Sequence, residues 1–77
     1  MKTPRIVLIM KSGLVVEALS NQSGLDLLIL DQDTDGVDED DVQEVRHNRV
    51  DMKVRVENPD VAHKAVATDS LFNQVTV

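Results

Sequence analysis

The chain has 77 residues, no cysteine, a formal charge of −6 and a single aromatic residue, Phe72. That length suits one small domain, whose core supplies only roughly 3–5 kcal/mol. The absence of cysteine excludes disulfides, thiolate nucleophiles and cysteine-ligated zinc. An acidic balance with one aromatic side chain also argues against nonspecific phosphate binding and base stacking, though not against imitation of a nucleic acid.

The N-terminal apolar run, Ile6–Met10, stops at Lys11 after five residues. A signal-peptide core needs roughly 7–15 apolar residues and a membrane span about 20, so the expectation is a cytoplasmic protein with no membrane association. The sequon Asn21-Gln22-Ser23 is read as a chance match in that setting.

Residues 5–11, Arg-Ile-Val-Leu-Ile-Met-Lys, are apolar on both alternating faces and predict a strand covered on both sides. Ser12-Gly13 signals a tight turn, with glycine supplying positive φ. Residues 14–20 fit a strand with Leu14, Val16 and Ala18 on one face, or a short helix stacking Leu14 on Ala18 and Val15 on Leu19. The Val pair and the tight turn favour the strand, hence a hairpin. After the loop 21–24, residues 25–31 predict another doubly apolar strand. Asp38 is placed to cap a short helix over 39–45, whose acidic first turn suits the helix dipole.

Residues 50–57 alternate cleanly, with Val50, Met52, Val54 and Val56 on one face and Asp51, Lys53, Arg55 and Glu57 on the other. That predicts a half-exposed strand. Asn58-Pro59-Asp60 reads as a helix start for 59–68, with Val61, Ala62, Ala65 and Val66 inward. The tail either frays or adds an edge strand over 73–77. The expected fold is therefore one α+β domain over 1–77, with a mainly antiparallel sheet of three to five strands. A single helix covers one sheet face, so two doubly apolar strands imply a homodimer that covers the other.

Charge is distributed unevenly. Residues 12–45 carry ten acidic side chains and no Lys or Arg, while residues 1–11 carry three basic ones and no acid. Between 31 and 44 there are eight carboxylates in fourteen residues: Asp31, Asp33, Asp35, Asp38, Glu39, Asp40, Asp41 and Glu44. Crowded like charges oppose compaction, and a neutral loop would make a structural turn at lower cost. The segment is accordingly expected to bind a basic protein partner, steered electrostatically, with imitation of a nucleic acid as a specialised form. A solvated acidic loop that keeps the protein in solution is the plainer reading.

Asp31, Asp33, Asp35 and Gly36 also match the first half of an EF-hand loop, which takes oxygen ligands from positions 1, 3 and 5 and glycine at 6. Position 12, where a bidentate Glu belongs, is Val42. A loop one residue shorter would close on Asp41, making Asp31, Asp33, Asp35 and Asp41 the alternative calcium ligands. No resident cofactor is expected outside that alternative.

His47 and His63 have no arrangement of Cys or carboxylate around them that reads as a zinc motif, and Arg46-His47-Asn48-Arg49 is a compact basic patch beside the acid run. Ser12, Ser20, Ser23 and Ser70 have no neighbouring histidine base in a nucleophilic motif. Paired carboxylates on an exposed loop lack the dry pocket that raises one pKa for acid–base work. The chain is read as noncatalytic.

Three stretches, residues 11–17 (Lys-Ser-Gly-Leu-Val-Val-Glu), 31–42 (Asp-Gln-Asp-Thr-Asp-Gly-Val-Asp-Glu-Asp-Asp-Val) and 56–59 (Val-Glu-Asn-Pro), carry a resemblance. The chain resembles a group of small bacterial proteins of plasmid- and phage-rich genomes. Their pattern is a Gly-Gly-Val-Val-Gln-type turn, an Asp-x-Asp-Thr-Glu-Gly-Ala-Asp-Glu-Asp-Asp-Leu-like segment and a Val-Asn-Pro-type helix start. Ser12 stands here for the first glycine and Glu17 for the glutamine. The resemblance covers most of the chain, implies a mobile-element or accessory setting, and carries no functional residues with it. The Glu it accepts at the third ligand position weakens the calcium reading.

Overall fold

The computed structural model describes residues 3–76. Among these residues six strands form two mostly antiparallel three-stranded sheets, and with one 3-10 turn and one helix they make a small α+β fold. The chain contacts divide into two compact units, Met1–Leu27 with Pro59–Val77, and Leu28–Asn58.

In the first unit, β1 (Ile6–Lys11) and β2 (Leu14–Ser20) form the expected hairpin. Its two-residue turn has Ser12 at φ 52° and Gly13 at φ 77°. Positive φ at both positions matches the right-handed twist of the strands it joins. The register shifts between Ile9 and Met10, because Ile9 opposes Glu17 and Met10 opposes Val15, which leaves Val16 as the extra residue of a β-bulge.

The strand expected over 25–31 shortens to β3 (Ile29–Asp31) in the second unit. The helix expected over 39–45 is corrected. Only Glu39–Asp41 makes a single 3-10 turn, and Val42–His47 is a strand, β4. The apolar pair Val42 and Val45 sits three residues apart, which reads as one helical face, yet strand alternation puts the two on opposite faces. β4 pairs along its whole length with β5 (Val50–Glu57), and the ladder places Glu44 opposite Lys53 and Arg46 opposite Asp51. Opposite charges facing each other are compatible with that register, and like charges there would oppose it. β5 is the central strand, between β3 and β4, and its Val54 is fully buried.

The β4–β5 turn is Asn48-Arg49, with φ 50° and 66°. This is the same turn form as Ser12-Gly13, but a β-carbon at the second position strains it.

The helix start expected at Asn58-Pro59 is also corrected. Ala62–His63 forms a short strand, β6, parallel to β2, with Leu19 opposite Ala62 and Ser20 opposite His63. Lys64 N then donates to the Ser20 carbonyl at 2.9 Å. Only after this pairing does the helix α1 run, Ala65–Gln74, with no side-chain cap and no acid in its first turn. The pairing with β2 overrides the local cap signal. The edge strand expected over 73–77 is absent among the described residues. Asn73 and Gln74 close α1, Val75 is its extended C-cap, and Val77 lies outside the described residues.

Arg5 ties this unit together. Its backbone N–H donates to Asn21 Oδ1 (2.9 Å), and its carbonyl accepts from Ser20 Oγ (2.8 Å) and Asn21 N (3.3 Å). Its guanidinium reaches Asp69 of α1 at 3.0 Å and lies 4.7 Å above the Phe72 ring. Leu19 and Ala18 are buried in β2.

Replacing Arg49 with glycine should relieve the turn. A left-handed L-residue costs roughly 1–2 kcal/mol, and glycine gives back about 0.4–1 kcal/mol through the unfolded chain. A net gain of about 0.5–1 kcal/mol is expected for Arg49→Gly in a urea unfolding curve. Val54→Ala, which empties the centre of β5, should lower stability by roughly 2 kcal/mol in the same measurement.

Candidate acidic interaction site

The acidic segment lies wholly in the second unit and begins where β3 ends. Asp31 directly opposes Arg55 across the β3–β5 ladder. Arg55 Nη2 donates to Asp31 Oδ2 at 3.1 Å, and Nη1 is bonded to Glu57 Oε1. All three side chains are largely shielded, with 18–31 % of their surface exposed. One guanidinium on the central strand therefore holds two carboxylates.

From there the loop is organised by its own carboxylates. Asp31 Oδ1 accepts from Asp33 N (2.9 Å), and Asp33 Oδ1 accepts from Asp35 N (3.3 Å). These successive Asx turns are the ordinary habit of aspartate in loops. A β-turn follows, with Val37 N donating to the Thr34 carbonyl at 3.1 Å and Gly36 at φ 77° in its third position. Asp41 N then bonds the Asp38 carbonyl at 2.9 Å, closing the 3-10 turn that leads into β4.

Seven of the eight carboxylates, Asp33, Asp35, Asp38, Glu39, Asp40, Asp41 and Glu44, are exposed, while Asp31 is half-buried. Beside them is an open groove of about 470 Å³, lined by Thr34, Val37, Glu39, Val42, Glu44 and Lys53, among others. Apolar walls from Val37 and Val42 stand there next to the Glu39 and Glu44 carboxylates and the Lys53 side chain. Composition alone pointed to Glu39 and Glu44. It did not single out Val37, Val42 and Lys53, whose proximity depends on the β4–β5 ladder.

The backbone hydrogen bond from Asp33, and then the Arg55 side chain, hold the Asp31 carboxyl below its ordinary value of 3.8. The Glu57 hydrogen bond, with Asp31 adding to it, pushes the Arg55 guanidinium further up. Of the four candidate calcium ligands, Asp31 has one oxygen on Arg55 and the other on the Asp33 amide, which places a cation beside the ion centre. Among the described residues, no group of three His, Cys, Asp or Glu side chains is arranged to hold a metal ion.

Other candidate residues lie elsewhere or are engaged structurally. His47 ends β4 with its Nε2 3.2 Å from Asn48 Nδ2, and exposed His63 belongs to β6 in the first unit. Asn48-Arg49 of the basic patch is the hairpin turn, and Arg46 makes a loose, exposed pair with Asp51 at 3.8 Å, a contact worth little in water. Ser20 Oγ is committed to the Arg5 carbonyl and the Gln22 amide. No helix among the described residues is long and apolar enough to cross a membrane. Comparison with known protein families, curated proteins and solved structures finds no match for this chain.

Because the folded-state pKa of Asp31 is depressed, the stability from its pairing is fully present above its ordinary 3.8 and is lost as pH falls from there through the lower folded-state value. In Arg55→Gln, carboxyl NMR should show the Asp31 midpoint moving upward. It should remain below 3.8 while the Asp33 amide still donates.

Proposed function

We propose that the chain is a noncatalytic interaction module whose acidic segment, Asp33–Glu44, binds a basic stretch of a protein partner. The observation that carries this reading is the exposure of seven carboxylates on a segment given order by the Arg55–Asp31 anchor, beside a groove walled by Val37 and Val42. Order matters, because a loop already held in its bound form loses less entropy when a partner docks. An arginine or lysine of the partner lays its methylenes along Val37 and Val42 and brings its charge to Glu39 and Glu44. Such side chains bury their stems while keeping the head on a polar partner. The remaining carboxylates raise the association rate and fall under salt screening. Asp31 serves the site by holding the loop rather than by meeting the partner.

A polyanionic surface of this kind also suits a partner whose natural ligand is a nucleic acid, consistent with a mobile-element or accessory setting in the cytoplasm.

The test is calorimetric titration with an arginine-rich peptide. The triple variant Asp38→Asn, Glu39→Gln, Asp40→Asn should weaken binding at least tenfold. A control triple variant, Glu17→Gln, Asp51→Asn, Asp60→Asn, changes net charge equally outside the segment and should weaken it far less. Equal losses in the two would reduce the effect to net charge and defeat the proposal.

A further inference from the structure

The first unit has an open sheet edge. β1 is the outer strand of the order β1-β2-β6. The Arg5 backbone groups point toward β2, since its carbonyl accepts from Asn21 N. Alternation sends those of Val7, Ile9 and Lys11 the same way, so the N–H and C=O groups of Ile6, Leu8 and Met10 face the free edge. The edge is apolar on both sides. Ile6, Leu8 and Met10 are 45, 40 and 56 % exposed, and alternation sets Leu8 and Met10 on the face opposite Val7 and Ile9. On the helix side an open groove of about 580 Å³ is lined by Ile6, Val7, Ile9, Leu71, Phe72 and Val75, with Gln74. An apolar edge with unpaired backbone groups is an invitation to another strand.

We infer that β1 pairs antiparallel with β1 of a second copy of this chain, around a two-fold axis at Leu8. The occupant must be a strand with apolar side chains on both faces. β5 does not qualify, because Asp51, Lys53, Arg55 and Glu57 line one of its faces. Ile6–Met10 itself does. In this register Ile6 opposes Met10 of the second copy and Leu8 opposes Leu8, so every outward backbone group is used. Shifts by two residues leave some unpaired. Val7 then opposes Ile9 of the second copy on the helix side, and the two grooves join across the seam into one apolar layer with a helix at each flank. Arg5 faces Lys11 of the second copy, but its charge is already matched by Asp69.

Ile6, Leu8, Ile9, Met10 and Val75 expose on the order of 500 Å² of side chain per copy. Two copies thus bury at most on the order of 1,000 Å² of side chain, the threshold for a specific interface. The arrangement is isologous, each copy offering the same patch, so it closes as a dimer and does not propagate.

The chain has no cysteine, which makes cross-linking a clean test. Cα atoms of directly opposed, hydrogen-bonded residues stand about 5.5 Å apart, within disulfide range. Under mild oxidation Leu8→Cys should convert to a covalent dimer. Val66→Cys, on α1 and 86 % exposed, should not. By light scattering at micromolar concentration, the unmodified protein should have twice the chain mass. Leu8→Lys, which sets two like charges on the axis, should halve that mass with its far-ultraviolet spectrum unchanged. If Leu8→Lys fails to fold, the cross-linking decides. A monomeric unmodified protein, a dimer that survives in folded Leu8→Lys, or cross-linking of Val66→Cys as fast as Leu8→Cys would each overturn the inference. The first of these outcomes would leave the edge to a strand of another protein.

Discussion

The governing constraint is a shortage of buried apolar surface. Among the described residues only Ala18, Leu19 and Val54 are buried hydrophobic side chains. Burying a leucine or valine fully contributes about 1.5–3 kcal/mol, so three cannot by themselves offset the ordering of the chain. The rest comes from half-buried apolar side chains such as Val7, Met52 and Phe72, from strand ladders, and from polar anchors that fix the ladder ends. Arg5 does this in one unit, linking the start of β1 to the loop after β2 and to Asp69 and Phe72 of α1. Arg55 does it in the other, on the strand that β3 and β4 share. Both guanidinium groups are partly shielded from water, where a planar fork of donors is better suited than a lysine ammonium.

The same constraint shapes the acidic segment. Eight carboxylates in fourteen residues would swell an untethered loop. Asp31 is removed from that repulsion by Arg55, and its second oxygen starts the turn that Asp33 and Gly36 continue. The chemistry that makes the segment resemble a calcium loop is thus spent locally. Alternating aspartates hold one another's amides, and the first is neutralised by a cation from the chain itself. What is left facing water is an anionic surface beside two valines.

The hairpin β1–β2 could be read from the sequence because Ser12-Gly13 and the flanking β-branched run agree with each other. β5 could be read because its alternation is unbroken. β4 could not, since Val42 and Val45 mimic a helical spacing and the turn that makes it a strand, Asn48-Arg49, lacks the glycine that normally announces such a turn. The helix start was displaced for a different reason. Asn58-Pro59 is a sound local signal, but β2 offers Ala62 and His63 a backbone partner that local rules do not see. For the site, exposure and charge were legible in composition. The separate role of Asp31 was not, because its partner Arg55 lies 24 residues away.

The most direct measurement of the central claim is an amide NMR map of the labelled protein during titration with an arginine-rich peptide. The account expects saturable shifts concentrated in residues 33–44 and at Lys53, with Val37 and Val42 among the largest movers, while β1, β2 and α1 stay in place. Small shifts scattered over every acidic residue of the chain, without saturation and without Val37 or Val42, would contradict it.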